Sequence, residues 1–323
     1  MSSWVRRSIA FLAVLVIAAG GYWLATHKQD VLDWWQLQNY KPSADISALA
    51  DSAGMQGRGR DLFYVSDPKV NERDQFNQNC TDNGKESLVL GCYKAQSIYI
   101  YNVTEPKLKG VKEVTAAHEM LHAAYERLEP GEKDRINNLL QAEITKISDP
   151  RLSDLIKLYN KDEPGEMFNE MHSILGTEFS SLSPELEVYY KQYFSDRARV
   201  VTLANNYATI FTESQKRIDS YDKQLASLKQ QIDTNSTDLD NRRSQLSAQG
   251  AQLDALRNSD PIAYNSAVPT YNANVRAYNN LASKTRDLVN QYNSIVQSRN
   301  GEVAAQSLLY HSLDSNYQPV GTN

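Results

Sequence analysis

The chain has 323 residues, of which 41% are hydrophobic and 23% charged, and its formal net charge is −5. This length accommodates about two domains. The mean hydropathy of −0.56 excludes a polytopic membrane protein, and the lack of a basic excess argues against a nucleic-acid partner. The 14 Gly and 10 Pro residues are too few for a typical all-β sandwich.

An uncharged apolar run occupies residues 9–25, shortly after Arg6 and Arg7. As a helix it would be roughly 25 Å long, which is short but adequate for the hydrocarbon core of a bilayer. Because basic residues stay on the cytoplasmic side, we interpret residues 1–30 as a single-pass anchor in the cell membrane, with the bulk of the chain outside the cytoplasm. The alternative is a signal peptide that is cleaved near residues 18–20, which would release a secreted protein.

The two cysteines of the chain, Cys80 and Cys92, lie close together in the sequence. Export would place them in an oxidising compartment, where one disulfide is the simplest expectation. Such a bond contributes about 3 kcal/mol to the free energy of unfolding for a loop of this size. Two free thiols are the alternative. A metal site is disfavoured because the spacing is wider than in a zinc knuckle.

Residues 31–199 are predicted to form one compact α+β domain, with a small sheet beside a helical half. Alternating aliphatic and tyrosine side chains predict a strand over residues 97–103, and a short apolar run predicts another over residues 61–65. Apolar spacing predicts a helix over residues 112–128, which ends before Pro130. Further helices are predicted over residues 43–53, 132–147, 151–159 and 166–175.

A long helix is predicted to begin at Ser183 and Pro184, where the serine can cap it and the proline fits the first turn. Neither glycine nor proline interrupts the chain between Pro184 and Gly250. The sequence therefore predicts one helix that is much longer than is normal in a globular domain.

Two heptad repeats, in residues 211–256 and 270–307, predict that residues 200–323 form a coiled coil with a polar tail. A break at residues 259–261 separates the repeats, so an antiparallel helical hairpin is the simplest arrangement. A parallel coiled coil between two chains is the alternative, and either form offers a surface for a protein partner or for self-association. Much of the excess of 19 Tyr over 7 Phe lies in these repeats, where tyrosine rings can pack in a narrow seam.

An H-E-x-x-H motif runs from His118 to His122, within the helix predicted over residues 112–128. Four residues are about one helical turn, so the two imidazoles project from the same face and can bind one zinc ion. Glu119 then lies beside the metal, where its carboxylate can accept a proton from water. The alternative is a pair of ordinary histidines without a metal.

The chain here resembles the zincin metallopeptidases, and the resemblance extends over residues 61–178. No H-x-x-G-x-x-H pattern follows His118, which excludes the metzincin variant. The gluzincin branch that remains takes its third zinc ligand from a glutamate on a later helix. The resemblance implies a catalytic Zn2+ ion, hydrolysis of peptide bonds, and a sheet followed by a metal helix and a ligand helix. It also implies that residues 97–103 form an edge strand that pairs with an extended peptide.

The candidate for the third ligand is Glu170, because Asn169 and Glu170 are similar to the start of the ligand helix in thermolysin-like enzymes. The chain departs from that pattern at Ile174, where those enzymes have an aspartate that supports a ligand. Glu166 and His172 are alternatives for the third ligand. His172 is also a candidate catalytic residue that would stabilise the oxyanion formed during hydrolysis.

The whole sequence thus predicts a membrane-anchored, outward-facing zinc peptidase that acts on a peptide or protein substrate and carries a helical hairpin. The alternative is a structural or adaptor protein, in which the hairpin provides the function and the zincin domain is a degenerate scaffold. The intact Glu119 argues against that alternative, because a scaffold has no use for the base. A third hypothesis is regulation, with the hairpin blocking the cleft until a partner removes it.

Overall fold

The computed structural model describes residues 17–23, 28–80 and 88–317. The protein is mostly helical, with a small three-stranded sheet and long C-terminal helices. It divides into two compact units, of which the first comprises Met1–Ala208 with Tyr310–Asn323 and the second comprises Thr209–Leu309. The predicted combination of a sheet, a helical half and long C-terminal helices is therefore confirmed at this level.

The elements of the first unit are short compared with those that follow. Its helices are α1 (Lys28–Asn39), α2 (Ala44–Ser52), α3 (Gly57–Val65), α4 (Arg73–Asn79), α5 (Val111–Glu126), α6 (Pro130–Ile144), α7 (Pro150–Asp162), α8 (Met167–Glu178) and α9 (Pro184–Tyr190). Its strands are β1 (Lys69–Asn71), β2 (Gly91–Lys94) and β3 (Ser97–Tyr101), and a 3-10 turn, Pro106–Leu108, precedes α5. Two long helices, α10 (Arg197–Ser259) and α11 (Pro261–Leu313), complete the chain.

The sheet has the order β1-β3-β2, with β1 parallel and β2 antiparallel to β3. The strand predicted over residues 97–103 is confirmed as β3. The expectation that it is an edge strand is wrong, because β1 and β2 pair with its two sides. In the described part of the chain, no strand pairs with the outer side of β1 or of β2, so these two are the edge strands.

The prediction of a strand over residues 61–65 is wrong, because these residues form the end of α3. Leu62, Phe63 and Val65 are all buried in the core of the first unit. A short apolar run is compatible with a buried strand and with a buried helical turn, and only the neighbouring residues decide between them.

Helix α5 lies at the centre of the first unit and packs against α3, α8 and the sheet. Small residues allow the close approach of α8. A Cβ atom at Gly176 of α8 would lie 2.5 Å from Cδ1 of Leu121, which is closer than two carbon atoms can pack. The glycine therefore permits α8 to pack directly on α5.

The N-terminal anchor predicted for residues 1–30 falls largely outside the described residues. Of the apolar run, residues 17–23 are described, and they are helical. Among the described residues, we find no helix of sufficient length and apolar character to cross a membrane.

The second unit is an antiparallel helical hairpin formed within one chain. Ser214 of α10 donates a hydrogen bond to Glu302 of α11, with 2.7 Å between Oγ and Oε1. At the other end of the unit, Nδ2 of Asn274 lies 3.0 Å from Oε1 of Gln249. A residue early in α10 thus contacts a residue late in α11, and a residue late in α10 contacts one early in α11, so the two helices are antiparallel. The predicted break before Pro261 is confirmed.

The prediction of one uninterrupted helix from Pro184 is wrong, because α9 ends at Tyr190 and α10 begins at Arg197. The backbone between them forms hydrogen bonds with a distant segment instead of continuing the helix. Ser195 N donates to Gly54 O at 2.9 Å, and Tyr193 O accepts from Gln56 N at 2.9 Å. Long-range backbone pairing thus ends a helix that no local residue would stop.

Candidate metal centre

Helix α5 presents His118 and His122 side by side, one turn apart, with 3.0 Å between their Nε2 atoms. Glu170, in the first turn of α8, places Oε1 3.4 Å from Nε2 of His118 and Oε2 3.5 Å from Nε2 of His122. The close packing of α8 on α5 brings the Glu170 carboxylate next to the two imidazoles. The structure therefore brings together the three residues that the sequence suggested as metal ligands.

The spacing of these donor atoms fits a zinc ion. Donors bound to tetrahedral zinc at about 2.0–2.1 Å lie about 3.3 Å from one another. In the cluster the two Nε2 atoms are 3.0 Å apart, one carboxylate oxygen of Glu170 lies 3.4 Å from Nε2 of His118, and the other lies 3.5 Å from Nε2 of His122. Two imidazoles and one carboxylate are also a donor set that zinc prefers. The residues present thus fit a zinc ion in both chemistry and geometry.

Asn169 orients one of the two histidines. Its Oδ1 atom lies 2.9 Å from Nδ1 of His122, so the amide oxygen accepts and Nδ1 carries the proton. Its Nδ2 atom in turn donates to Oε2 of Glu166 at 3.0 Å. Nε2 of His122 is consequently the nitrogen available to a metal. Glu166 contacts the amide that supports His122, while Glu170 contacts the two histidines themselves.

Charge and burial oppose each other in the cluster. Burial lowers the pKa of His118, but the Glu170 carboxylate and, to a smaller extent, Glu119 outweigh it and raise this pKa to about 10. Burial raises the pKa of Glu170, and the two histidines with Tyr159 outweigh it and lower this pKa to about 2. Burial and the charge on His118 lower the pKa of His122. Without a metal, one positive charge therefore resides on His118 next to an ionised carboxylate.

Glu119 lies against the edge strand β2. Only 5% of this residue is exposed, and it lines the same cavity as the three candidate ligands. A Cβ atom at Gly91 of β2 would lie 2.6 Å from Oε1 of Glu119 and 2.5 Å from Cγ2 of Thr115. A glycine at this position is therefore what allows the strand and the helix to approach so closely.

The cavity has a volume of about 450 Å³ and lies between β2, α5, α7 and α8. Its walls are strongly acidic, which favours a bound cation. The acidic side chains that line it are Glu119, Glu126, Asp162, Glu163, Glu166 and Glu170. Tyr159 of α7 also lines it and forms a side-chain hydrogen bond with Glu170. The sequence did not indicate Tyr159, because its role depends on how α7 packs beside α8.

His172 does not join the cluster. It is fully buried, and its Nε2 atom lies 2.8 Å from the hydroxyl of Tyr189. Tyr125 and Tyr190 also contact its ring. Burial lowers the pKa of His172 to about 3, so the imidazole is neutral. The residue is not among those that line the cavity, so the structure does not bring it to the position expected of a catalytic group.

The predicted disulfide between Cys80 and Cys92 is present. Cys80 follows α4 and Cys92 lies in β2, so the bond ties this edge strand to the end of α4. Both cysteines line the cavity. The disulfide therefore helps to hold one wall of the candidate site.

No family model, no curated protein and no solved structure matches this chain. The function therefore has to be inferred from the site itself.

Proposed function

We propose that the protein is a zinc-dependent peptidase of the gluzincin type, with His118, His122 and Glu170 as zinc ligands and Glu119 as the general base. One observation carries the proposal: two imidazoles and a carboxylate lie close enough together to hold one metal ion, on the wall of a cavity that Glu119 also lines. Three protein ligands leave one position for water, which is the composition of a catalytic zinc site rather than a structural one.

The residues of the site would divide the work of hydrolysis. When bound, zinc supplies Lewis-acid chemistry, because it lowers the pKa of a water molecule and polarises the carbonyl group of the peptide bond. Glu119 accepts the proton that the attacking water loses and donates it to the nitrogen of the leaving amine. Tyr159 would support the ligand Glu170, because the two side chains form a hydrogen bond in the cavity. His172 is buried among tyrosines and takes no part.

Strand β2 offers a backbone edge for an extended substrate. Tyr101 N donates to Leu90 O at 2.8 Å, and the register then pairs Gly91 with Ile100. Hydrogen-bonded and non-hydrogen-bonded pairs alternate in an antiparallel ladder, so the backbone groups of Gly91 and Tyr93 face away from β3. Both residues line the cavity. We therefore assign β2, rather than β3, to bind a peptide or protein substrate by strand addition.

The proposed enzyme acts outside the cytoplasm. The disulfide supports this location, because such bonds persist in oxidising compartments. The apolar run at residues 9–25, with two arginines before it, supports attachment to the membrane with the catalytic unit on the outer side.

Metal content and cleavage test the proposal. The purified full-length protein is expected to contain about one zinc ion per chain and to cleave unstructured peptides, with both properties abolished by His118→Ala. His311→Ala is the matched control, because His311 stacks on Tyr317 away from the cavity. A native protein that takes up no zinc, or one that binds zinc and cleaves no peptide, would refute the peptidase assignment.

A further inference from the structure

Helix α1 carries an exposed aromatic surface that the first unit does not use. Trp34 is 62% exposed and Trp35 is 63% exposed, with Leu32 beside them at 46%. Between residues 28 and 208, the described large hydrophobic side chains that are exposed are Leu32, Trp34, Trp35 and Val188. Three of these four therefore lie on a single helix. Tryptophan is a costly side chain to leave in water.

The opposite face of α1 is held firmly on the first unit. Arg127, which directly follows α5, donates from Nε to Oδ2 of Asp33 at 2.6 Å and from a second nitrogen to Oδ1 at 3.1 Å. The same guanidinium donates to the hydroxyl of Tyr93 in β2 at 2.8 Å. Leu37 packs against the hydrophobic core. The two tryptophans therefore lie on the outer side of a helix whose inner side is docked on the first unit.

The chain before α1 indicates what covers this surface. Two residues separate the uncharged apolar run of residues 9–25 from α1. Its described part continues the exposed apolar character, since Ile17 is 73%, Tyr22 is 74% and Trp23 is 53% exposed. Lipid is the partner that suits an uncharged apolar run followed by tryptophans, because indole rings favour the boundary between acyl chains and headgroups.

We infer that Trp34 and Trp35 lie in the interface of a lipid bilayer, so that α1 is a membrane-contacting face of the first unit. The bidentate ion pair with Asp33 and the bond to Tyr93 connect this face to the cavity wall. The bilayer would then fix the height of the cavity above its surface. This inference concerns lipid contact and stands whether or not the cavity hydrolyses peptides.

Tryptophan quenching in the full-length chain tests the inference. The chain has 4 Trp, and Trp4→Phe with Trp23→Phe leaves only the pair on α1. In phosphatidylcholine vesicles, lipids brominated near the headgroup end of their chains are expected to remove most of the emission, while acrylamide in the water removes little. The control replaces all four tryptophans with phenylalanine and adds Val188→Trp, which places the probe on another exposed site of the first unit. That probe is expected to show the reverse pattern.

Two results would overturn the inference. Emission quenched by acrylamide and unaffected by brominated lipid would place the pair in water. Emission protected from both quenchers would show that protein covers the pair, as in contact with a second copy of the chain. A further variant with Trp35→Phe, which leaves Trp34 alone, gives the same readout if the paired indoles complicate the spectrum.

Discussion

Asn169 and His122 are 47 residues apart in the chain, and their side chains meet at 2.9 Å between Oδ1 and Nδ1. The contact fixes which imidazole nitrogen carries the proton and leaves Nε2 directed at His118 and Glu170. Such supporting contacts raise the metal affinity of the histidine they orient. Asn169, which directly precedes the candidate ligand Glu170, therefore orients the candidate ligand His122.

Removing this support should weaken the site without changing its ligands. Asn169→Ala is expected to lower the affinity for zinc by about 10–100-fold, because His122 loses the acceptor that fixes its tautomer. Competition with a fluorescent zinc chelator measures the change. Asn160→Ala, on the exposed side of α7, is the matched control and should bind as the unmodified protein does. Equal affinity in the two variants would mean that Asn169 has no supporting role.

Zinc binding should release about one proton at neutral pH. The pKa of His118 is raised to about 10 and that of Glu170 is lowered to about 2, while that of His122 is lowered. At pH 7 only His118 must therefore lose a proton before zinc can bind. Affinity is then expected to rise about tenfold per pH unit between about pH 7 and pH 9.

Titration calorimetry in two buffers with different ionisation enthalpies counts the protons released. A count near zero would show that His118 is already neutral in the metal-free protein. A count near two would show that a second group, His122 or a zinc-bound water, also loses a proton. A count near zero would contradict the charge distribution assigned to the cluster.

A methyl group at Gly91 should damage catalysis more than metal binding. The added Cβ would meet Glu119 at 2.6 Å and Thr115 at 2.5 Å, so strand and helix must separate or the carboxylate must move. We expect Gly91→Ala to retain zinc and to lose about 10²-fold or more in kcat/KM, because small misplacements of a catalytic group are costly. Gly131→Ala is the control, since no atom lies within 4 Å of its added Cβ. Full activity of Gly91→Ala would show that an added methyl group fits between β2 and Glu119 without displacing the carboxylate.

Breaking the disulfide should loosen the cavity wall. The double variant Cys80→Ser with Cys92→Ser is expected to lose about 3 kcal/mol of unfolding free energy, because the unfolded chain is no longer restrained. Urea denaturation with and without reductant measures the loss. The unmodified protein should approach the variant when reduced, and the variant should not respond to reductant. If the urea midpoint of the unmodified protein is the same with and without reductant, the disulfide does not stabilise the fold.

The sequence predicted the parts of the site that local spacing determines. His118 and His122 share a helical face because four residues make about one turn, and that arrangement follows from the sequence once α5 is a helix. Glu170 was suggested only by the resemblance of its helix start, and its contact with the histidines depends on the packing of α8 at Gly176. Tyr159 had no local signal, because its contact with Glu170 arises from the placement of a third helix.

The sheet and the helix boundaries show where local patterns were insufficient. β1 has only 3 residues, too few for a recognisable alternation, and its pairing with β3 leaves β1 and β2, rather than β3, as the edge strands. The end of α9 depends on backbone bonds between residues near Tyr193 and a segment near Gly54. In contrast, the heptad spacing predicted the second unit well, since Ile218, Leu228 and Leu288 are buried there.

The proposed mechanism is tested most directly by measuring both zinc content and peptide cleavage in Glu119→Gln. We expect about one zinc per chain, as in the unmodified protein, because the ligand atoms are untouched. We expect a loss of peptide cleavage of at least about 10²-fold, because the base is gone. Glu113→Gln, a matched change in the first turn of the same helix, should preserve both properties. A Glu119→Gln protein that keeps its zinc and cleaves peptides at the unmodified rate would contradict Glu119 as the general base.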